Sequence, residues 1–200
     1  VRPRSSAPHG PLPSPAVYRR PDHPGRAPTL IHVHGGSWMH GRKERQAKPL
    51  TRHLAQQGWV VVSINYRLSP KATFPDHVDD VKAAVAWIRD HAEELGVDPD
   101  FIVLTGGSAG GHLAALAALD PSTGVQGCVP HYGIYDFLDR HRARGRHSLE
   151  GFLRKTIMKC SPVECRDAWD AASPIAQVGP HAPPFFVLHG TFDSMAYVNE

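Results

Sequence analysis

The chain has 200 residues, 41% hydrophobic and 20% charged, which supplies enough apolar side chains for one globular core. A net charge of +3, counted with 14 neutral histidines, is too weak to imply a nucleic-acid partner, and no apolar run approaches the roughly 18–20 residues that span a bilayer, so no stable membrane insertion is expected. Three cysteines are too few for a disulfide scaffold and lack zinc-ligand spacing; a Cys160–Cys165 bridge is open, but the expectation for both, and for Cys128, is ordinary reduced thiols in a cytoplasmic protein.

From the N-terminus, eight of the 19 prolines fall within residues 1–28. Proline lacks the N–H that a sheet ladder needs, so this stretch reads as an extended segment wrapping the domain, with one short strand at 16–19. The folded domain is expected over 29–200. Residues 29–34 are a short apolar run closed by glycines and predict a strand, 47–57 a helix, and 59–65 a second strand whose β-branched residues disfavour helix. The clearest helix is 75–95, where Val78, Val81, Val85, Ile88, Ala92 and Leu95 recur three and four residues apart. Pro75 with the acids Asp76, Asp79 and Asp80 suits its N-terminal end, and Gly96 its stop. A third strand at 101–105 leads into a helix at 111–119; 125–131 is a weaker strand and 185–189 a further one. Runs that are apolar throughout indicate strands buried on both faces. The expected fold is α/β, a doubly wound, mostly parallel sheet with helices on both faces and its sites outside the carboxyl ends of the strands. Residues 132–177 read as a cap-like insertion. Its basic cluster (Arg140, Arg142, Arg144 and Arg146, with His141 and His147) has no interleaved aromatics and reads as a solvated loop.

The strand ends carry the chemistry. The 101–105 strand runs into Gly106-Gly107-Ser108-Ala109-Gly110-Gly111, a G-x-S-x-G between strand and helix, where a tight turn strains the serine backbone and small neighbours let strand and helix approach. A glycine-rich turn serving only packing has the same appearance; phosphate binding is disfavoured, because neither a P-loop nor a dinucleotide fingerprint is present. The 29–34 strand ends in His34-Gly35-Gly36-Ser37-Trp38, whose glycines allow backbone N–H groups to face a cleft, as acyl transfer requires where an oxyanion develops. His32 and His34 also read as a pair of metal ligands on one strand face, but no further ligand follows at a metal-hydrolase spacing. His34 fits better as a loop-ordering residue, and neither a metal nor a cofactor is expected. Asp193, just past 185–189 and later than Ser108, fits the order nucleophile, acid, base; a turn or capping aspartate would look the same.

Taken together, these segments resemble the α/β-hydrolase esterases and lipases related to hormone-sensitive lipase, in the branch with an HGG-x-W oxyanion motif. The matching residues are His34 through Trp38, Asn65-Tyr66-Arg67-Leu68-Ser69-Pro70, Phe74-Pro75, Gly106 through Gly111, Ala172-Ser173-Pro174 and His189-Gly190-Thr191-Phe192-Asp193. The resemblance implies a serine carboxylesterase or lipase acting without a metal on short- to medium-chain carboxylic esters, its partner being the small-molecule ester. It implies Ser108 as nucleophile, Asp193 as the acid that orients the base, and an oxyanion hole from the N–H of Ala109 with those of Gly35, Gly36 and Ser37. It also places Trp38 and Phe74 beside that loop as substrate-pocket residues. A catalytically silent binding module, and an amidase or formamidase on the same fold, share these motifs.

One feature departs from the family. There the catalytic histidine follows the acid by a few tens of residues, after one more strand; here seven residues follow Asp193, and none of the 14 histidines takes that place in chain order. His131, His181 and His189 lie nearest the strand ends and are expected in core or loop roles. The last strand and helix of the fold are expected to be missing, so the chain alone is expected to be nearly inactive and its parent an active esterase. Phe137, Leu138, Leu149, Phe152, Leu153, Ile157 and Met158 either wall an acyl pocket or pack the insertion on the domain. Arg67 is expected to pair with Asp79 or Asp80.

Overall fold

The computed structural model describes residues 15–23, 25–142 and 149–198. Five strands form one sheet in the order β1-β3-β2-β4-β5. They are β1 (Ala16–Tyr18), β2 (Ala27–Val33), β3 (Val60–Ile64), β4 (Val97–Gly107) and β5 (Gly127–His131). β1 pairs antiparallel with β3, and the other pairings are parallel. Every residue of β3 is buried, as is every residue of β2 except Pro28, which explains why both read as unbroken apolar runs.

The helices sit where the crossovers put them. Between β2 and β3 runs α1 (Lys48–Gln56), which buries only Thr51 and Ala55. Between β3 and β4 run α2 (Asp76–Asp90) and the single turn α3 (Ala92–Leu95). The predicted 75–95 helix is therefore interrupted at His91, and Gly96 closes it in the left-handed conformation, φ 73°. Val78, Val81, Val85 and Ile88 form the buried stripe of α2, each contributing about 1.5–3 kcal/mol on leaving water. Arg67 ties the preceding loop to α2: it pairs with Asp80 as expected, at 2.8 Å, and with Asp76 rather than Asp79, at 3.1 Å.

Between β4 and β5 runs α4 (Ala109–Leu119), all eleven residues of which are buried. Alanine and glycine make that possible, since only a helix thin on every side fits between a sheet and its neighbours. Phe137, Leu153, Ile157, Met158 and Trp169 join the same core as the sheet and α2. The apolar residues of the 132–177 segment thus pack that segment onto the domain. Arg140 is not free in solvent, as its carboxylate partners are Asp136 and Asp170; residues 143–148 of the basic cluster lie outside the described part.

Two expectations are corrected here. Residues 185–189 make parallel bridges to β5 at Phe185 and Leu188 rather than a full strand, the segment being bridged to β5 alone among the described strands. Cys160 and Cys165 are disulfide-bonded with their Cα atoms 6.2 Å apart, while Cys128 is free and buried. The pair is five positions apart in the chain, and the short turn between them lets the two sulfurs meet. No helix among the described residues is long and apolar enough to cross a membrane.

Candidate active site

The strand order sets the location. From β2 the chain moves outward to β3 and then returns to add β4 on the other side of β2, so the loops leaving β2 and β4 diverge and open a crevice between their carboxyl ends. The loop after β2 is His34 through Gly41, and the turn after β4 holds Ser108.

Ser108 has φ 55° and ψ −123°, a strained conformation for a side chain other than glycine, costing on the order of 1–3 kcal/mol. The fold over-determines it. Its N–H donates to the His131 carbonyl at 3.0 Å, and its own carbonyl accepts from the His112 N–H at 3.0 Å. The two outer glycines of G-x-S-x-G have a steric reason. A Cβ on Gly106 would stand 2.5 Å from the Gly110 and Val33 backbones, and one on Gly110 would stand 2.2 Å from the Val33 carbonyl oxygen. Strand β2, strand β4 and helix α4 meet there backbone to backbone.

The β2 loop is as tightly specified. Gly36, Ser37 and Trp38 follow one another at φ 120°, 52° and 59°. Tyr66 donates its hydroxyl to the His34 carbonyl at 3.0 Å and stacks on the His34 ring, whose Nδ1–H donates to the Gly35 carbonyl at 2.8 Å. His34 therefore orders the loop. At the far end the indole N–H of Trp38 donates to His112 Nδ1 at 3.1 Å, and His112 Nε2–H donates to the Ala172 carbonyl at 2.8 Å. Burial pushes the His112 imidazole down to about 3, so it stays neutral and both ring nitrogens are satisfied.

Three predicted site residues are not where the sequence motifs suggest. Trp38 is buried, packed edge-on against Phe137 and His112, because its left-handed backbone swings the indole away from the crevice and into α4. Phe74 stands at the start of α2 and faces a separate hollow with Pro75, Val78 and Lys82, because its N–H is drawn to the Ile157 carbonyl at 2.9 Å. The Gly35 N–H donates to Gln46 Oε1 at 2.7 Å, so it is not available to a ligand. Gly36, Ser37 and Ala109 are different: no acceptor for their N–H groups is found among the described residues. Asp193 lies outside the lining of the Ser108 cavity. Its Oδ1 accepts from the Met195 and Ala196 amides at 2.9 and 3.0 Å, and His189 Nε2 stands 3.7 Å from Oδ2. Burial opposes ionisation of Asp193, but these amides and the imidazole outweigh it and hold the carboxyl below the usual range. His189 itself donates to the Ala196 carbonyl at 2.6 Å, which is a loop-shaping role.

A cavity of about 490 Å³ lies beside Ser108, lined by Gly35, Gly36, Gln46, Pro49, Leu50 and Tyr132, among others. Its floor is a polar row that the alternation of strand residues brings to one face: His32, Thr105 and His131. His32 is bonded to Ser63 Oγ at 3.0 Å, and burial pushes it down to about 4; burial also lowers His131. Near neutral pH both rings are uncharged, and no carboxylate stands in the lining among the described residues to oppose an oxyanion. No group of three or more histidine, cysteine or acidic side chains suited to a metal occurs among the described residues. Gln46 had no signal in the sequence, since it lies eleven positions beyond Gly35, the residue it bonds, and past the end of the motif.

A model of the BD-FAE family matches residues 16–200. The chain belongs to the BD-FAE family. Among proteins similar to this BD-FAE chain is a probable carboxylic ester hydrolase of Mycobacterium tuberculosis, LipM, 46% identical over 92% of the chain and 46% of LipM. Esterase LipQ of the same organism is 47% identical over 90% of the chain and 45% of LipQ. The chain thus spans under half the length of these relatives. Among solved structures, the Thermogutta terrifontis esterase Est2 superposes with a TM-score of 0.76 at 28% identity, over 92% of this chain and 69% of Est2. A truncated carbohydrate esterase from gut microbiota gives 0.80 at 26%, over 92% and 73%. The BD-FAE chain has the α/β-hydrolase fold of these esterases.

Proposed function

We propose that the protein is a serine carboxylic ester hydrolase that acts on short- to medium-chain esters through an acyl-enzyme on Ser108. The observation that carries this reading is the strained Ser108 turn facing a crevice in which the Gly36, Ser37 and Ala109 amides have no acceptor of their own. Such donors stabilise the tetrahedral oxyanion where its charge develops, and Ala109 adds the positive end of α4. Ser108 Oγ attacks the ester carbonyl and gives its proton to a general base. The tetrahedral intermediate collapses with loss of the alcohol, which takes that proton, and water then repeats the sequence to release the acid. Asp193 is the acid that orients the base, which the family resemblance puts a few tens of residues after the acid. The names of LipM and LipQ support ester hydrolysis. Structures of Est2 with propionate and with butyrate support a short acyl group.

The test is hydrolysis of p-nitrophenyl acetate and butyrate by the full-length protein and by Ser108→Ala. The substitution should lower kcat by about 10⁶-fold. Equal rates in the two proteins would refute the assignment.

A further inference from the structure

We propose that Gln46 is a positioning residue of the oxyanion loop: its side-chain carbonyl holds the Gly35 amide and so keeps the Gly36 and Ser37 amides turned toward the Ser108 turn. This rests on the serine-hydrolase reading and adds to it a residue that touches neither nucleophile nor acid. The motif residues alone would have assigned Gly35 as a third donor of the loop. The 2.7 Å bond from Gly35 N–H to Gln46 Oε1 instead takes that amide out of the crevice. Because a backbone N–H only donates, the bond also decides which end of the Gln46 amide faces the loop.

Three observations make this a built restraint. First, Gly35 is buried, so its N–H needs an acceptor once the chain has left the β2 ladder. Secondly, Gln46 is delivered by a turn that is fixed independently of the loop it serves. The Lys43 N–H donates to Asn65 Oδ1 at 2.8 Å, the Lys43 carbonyl accepts from Ser63 Oγ at 2.8 Å, and the Arg45 N–H donates to the Arg42 carbonyl at 3.1 Å. Immediately after Gln46, Ala47 takes a left-handed conformation, φ 54°, and α1 begins. The glutamine is therefore anchored to the end of β3 on one side and to a helix on the other. Thirdly, the residues it steadies are three in a row at positive φ, two of them not glycine, a geometry that persists only when its surroundings impose it. Trp38 pins the far end through His112, and Gln46 pins the near end. A neutral amide suits the place, because Gln46 lines the cavity beside Ser108 and an anionic acceptor there would oppose the charge of the intermediate.

The test compares Gln46→Met, which removes the acceptor at similar length, with Gln46→Glu, which keeps it, in the full-length protein. Ester hydrolysis gives kcat and KM, and amide hydrogen exchange followed by NMR reads Gly35 without substrate. Gln46→Met should lower kcat roughly 10- to 100-fold with KM within threefold, and should speed exchange at Gly35 at least tenfold. Gln46→Glu should keep Gly35 protected. The proposal is overturned if folded Gln46→Met leaves kcat within twofold, raises KM instead, or leaves Gly35 protected. It is equally overturned if folded Gln46→Glu loses that protection, a result that decides the matter even where the methionine variant does not fold. A wild-type protein without Ser108-dependent hydrolysis would count against the hydrolase reading alone, since the exchange measurement tests the Gln46 restraint by itself.

Discussion

The two halves of the site are held in different ways. Around Ser108 the backbones of β2, β4 and α4 touch one another, the β2 loop is held by Tyr66 and Gln46, and Trp38 joins it to α4 through His112. Around Asp193 the chain has bridges to β5 alone among the described strands, Phe192 is 98% exposed, and the carboxylate is held by amides two and three residues onward in its own turn. The oxyanion half is thus specified by long-range packing, and the acid half by local turn geometry. Damage to the first should be felt as loss of fold and function together. Damage to the second should be felt as loss of function with the fold retained.

The largest effect that separates the halves is expected from Gly110→Ala. A methyl group 2.2 Å from the Val33 carbonyl oxygen cannot be relieved by a side-chain movement, so both backbones must shift. We expect a destabilisation of more than about 3 kcal/mol and little soluble protein, read by expression and thermal unfolding. A stable, active Gly110→Ala protein would break the contrast. Next comes Asp193→Asn, which should lower kcat about 10⁴-fold while Tm moves by no more than a few degrees. A fall in Tm as large as that of Gly110→Ala would show that the acid turn is no less integrated.

Acid titration should act on the Ser108 half and on α2 behind it. His32 and His77 are pushed down to about 4, and His112 to about 3, each by burial, from 6.5. Below pH 6.5 the unfolded chain takes up protons that the folded chain refuses. Stability is therefore fully present above pH 6.5 and is lost as pH falls from there toward 4. The slope reaches about 1.4 kcal/mol per pH unit for each histidine, measurable by urea unfolding between pH 7 and 4.5. A flat profile would mean that these rings are not buried neutral. The smallest expected effect is that of Trp38→Phe. It leaves His112 Nδ1 buried without its donor and should cost about 1–3 kcal/mol, with KM for a short ester unchanged within about threefold. A large rise in KM would return Trp38 to the substrate pocket.

What the sequence made legible follows from the same distinction. Alternating strands and helices, the buried stripe of α2 and the glycine-bounded Ser108 turn are properties of neighbours in the chain, and the structure has them all. The break at His91 was not visible, because the apolar spacing continues across it into Leu95. Nor was the direction of Trp38, since a motif gives residue order while the left-handed backbone at positions 37 and 38 decides which way the indole points. Phe74 follows the same logic, drawn toward Ile157 by a backbone bond 83 positions away. The bonding of Cys160 to Cys165 depended on the turn between them, which composition does not encode.

The sides of the Ser108 cavity also differ in how much change they tolerate. On one side stand Gly106, whose every added atom meets backbone, and the wholly buried α4 that begins just past the serine. On the other stand Pro49, exposed, and Ala47 and Leu50, half-buried, at the start of α1, a helix that buries only two of its nine residues. Substitutions on the α1 side can enlarge, narrow or recharge the cavity without disturbing the Ser108 turn. A lineage built on this scaffold can therefore reshape the cavity through three positions of one helix start, Ala47, Pro49 and Leu50, while the Ser108 turn stays frozen.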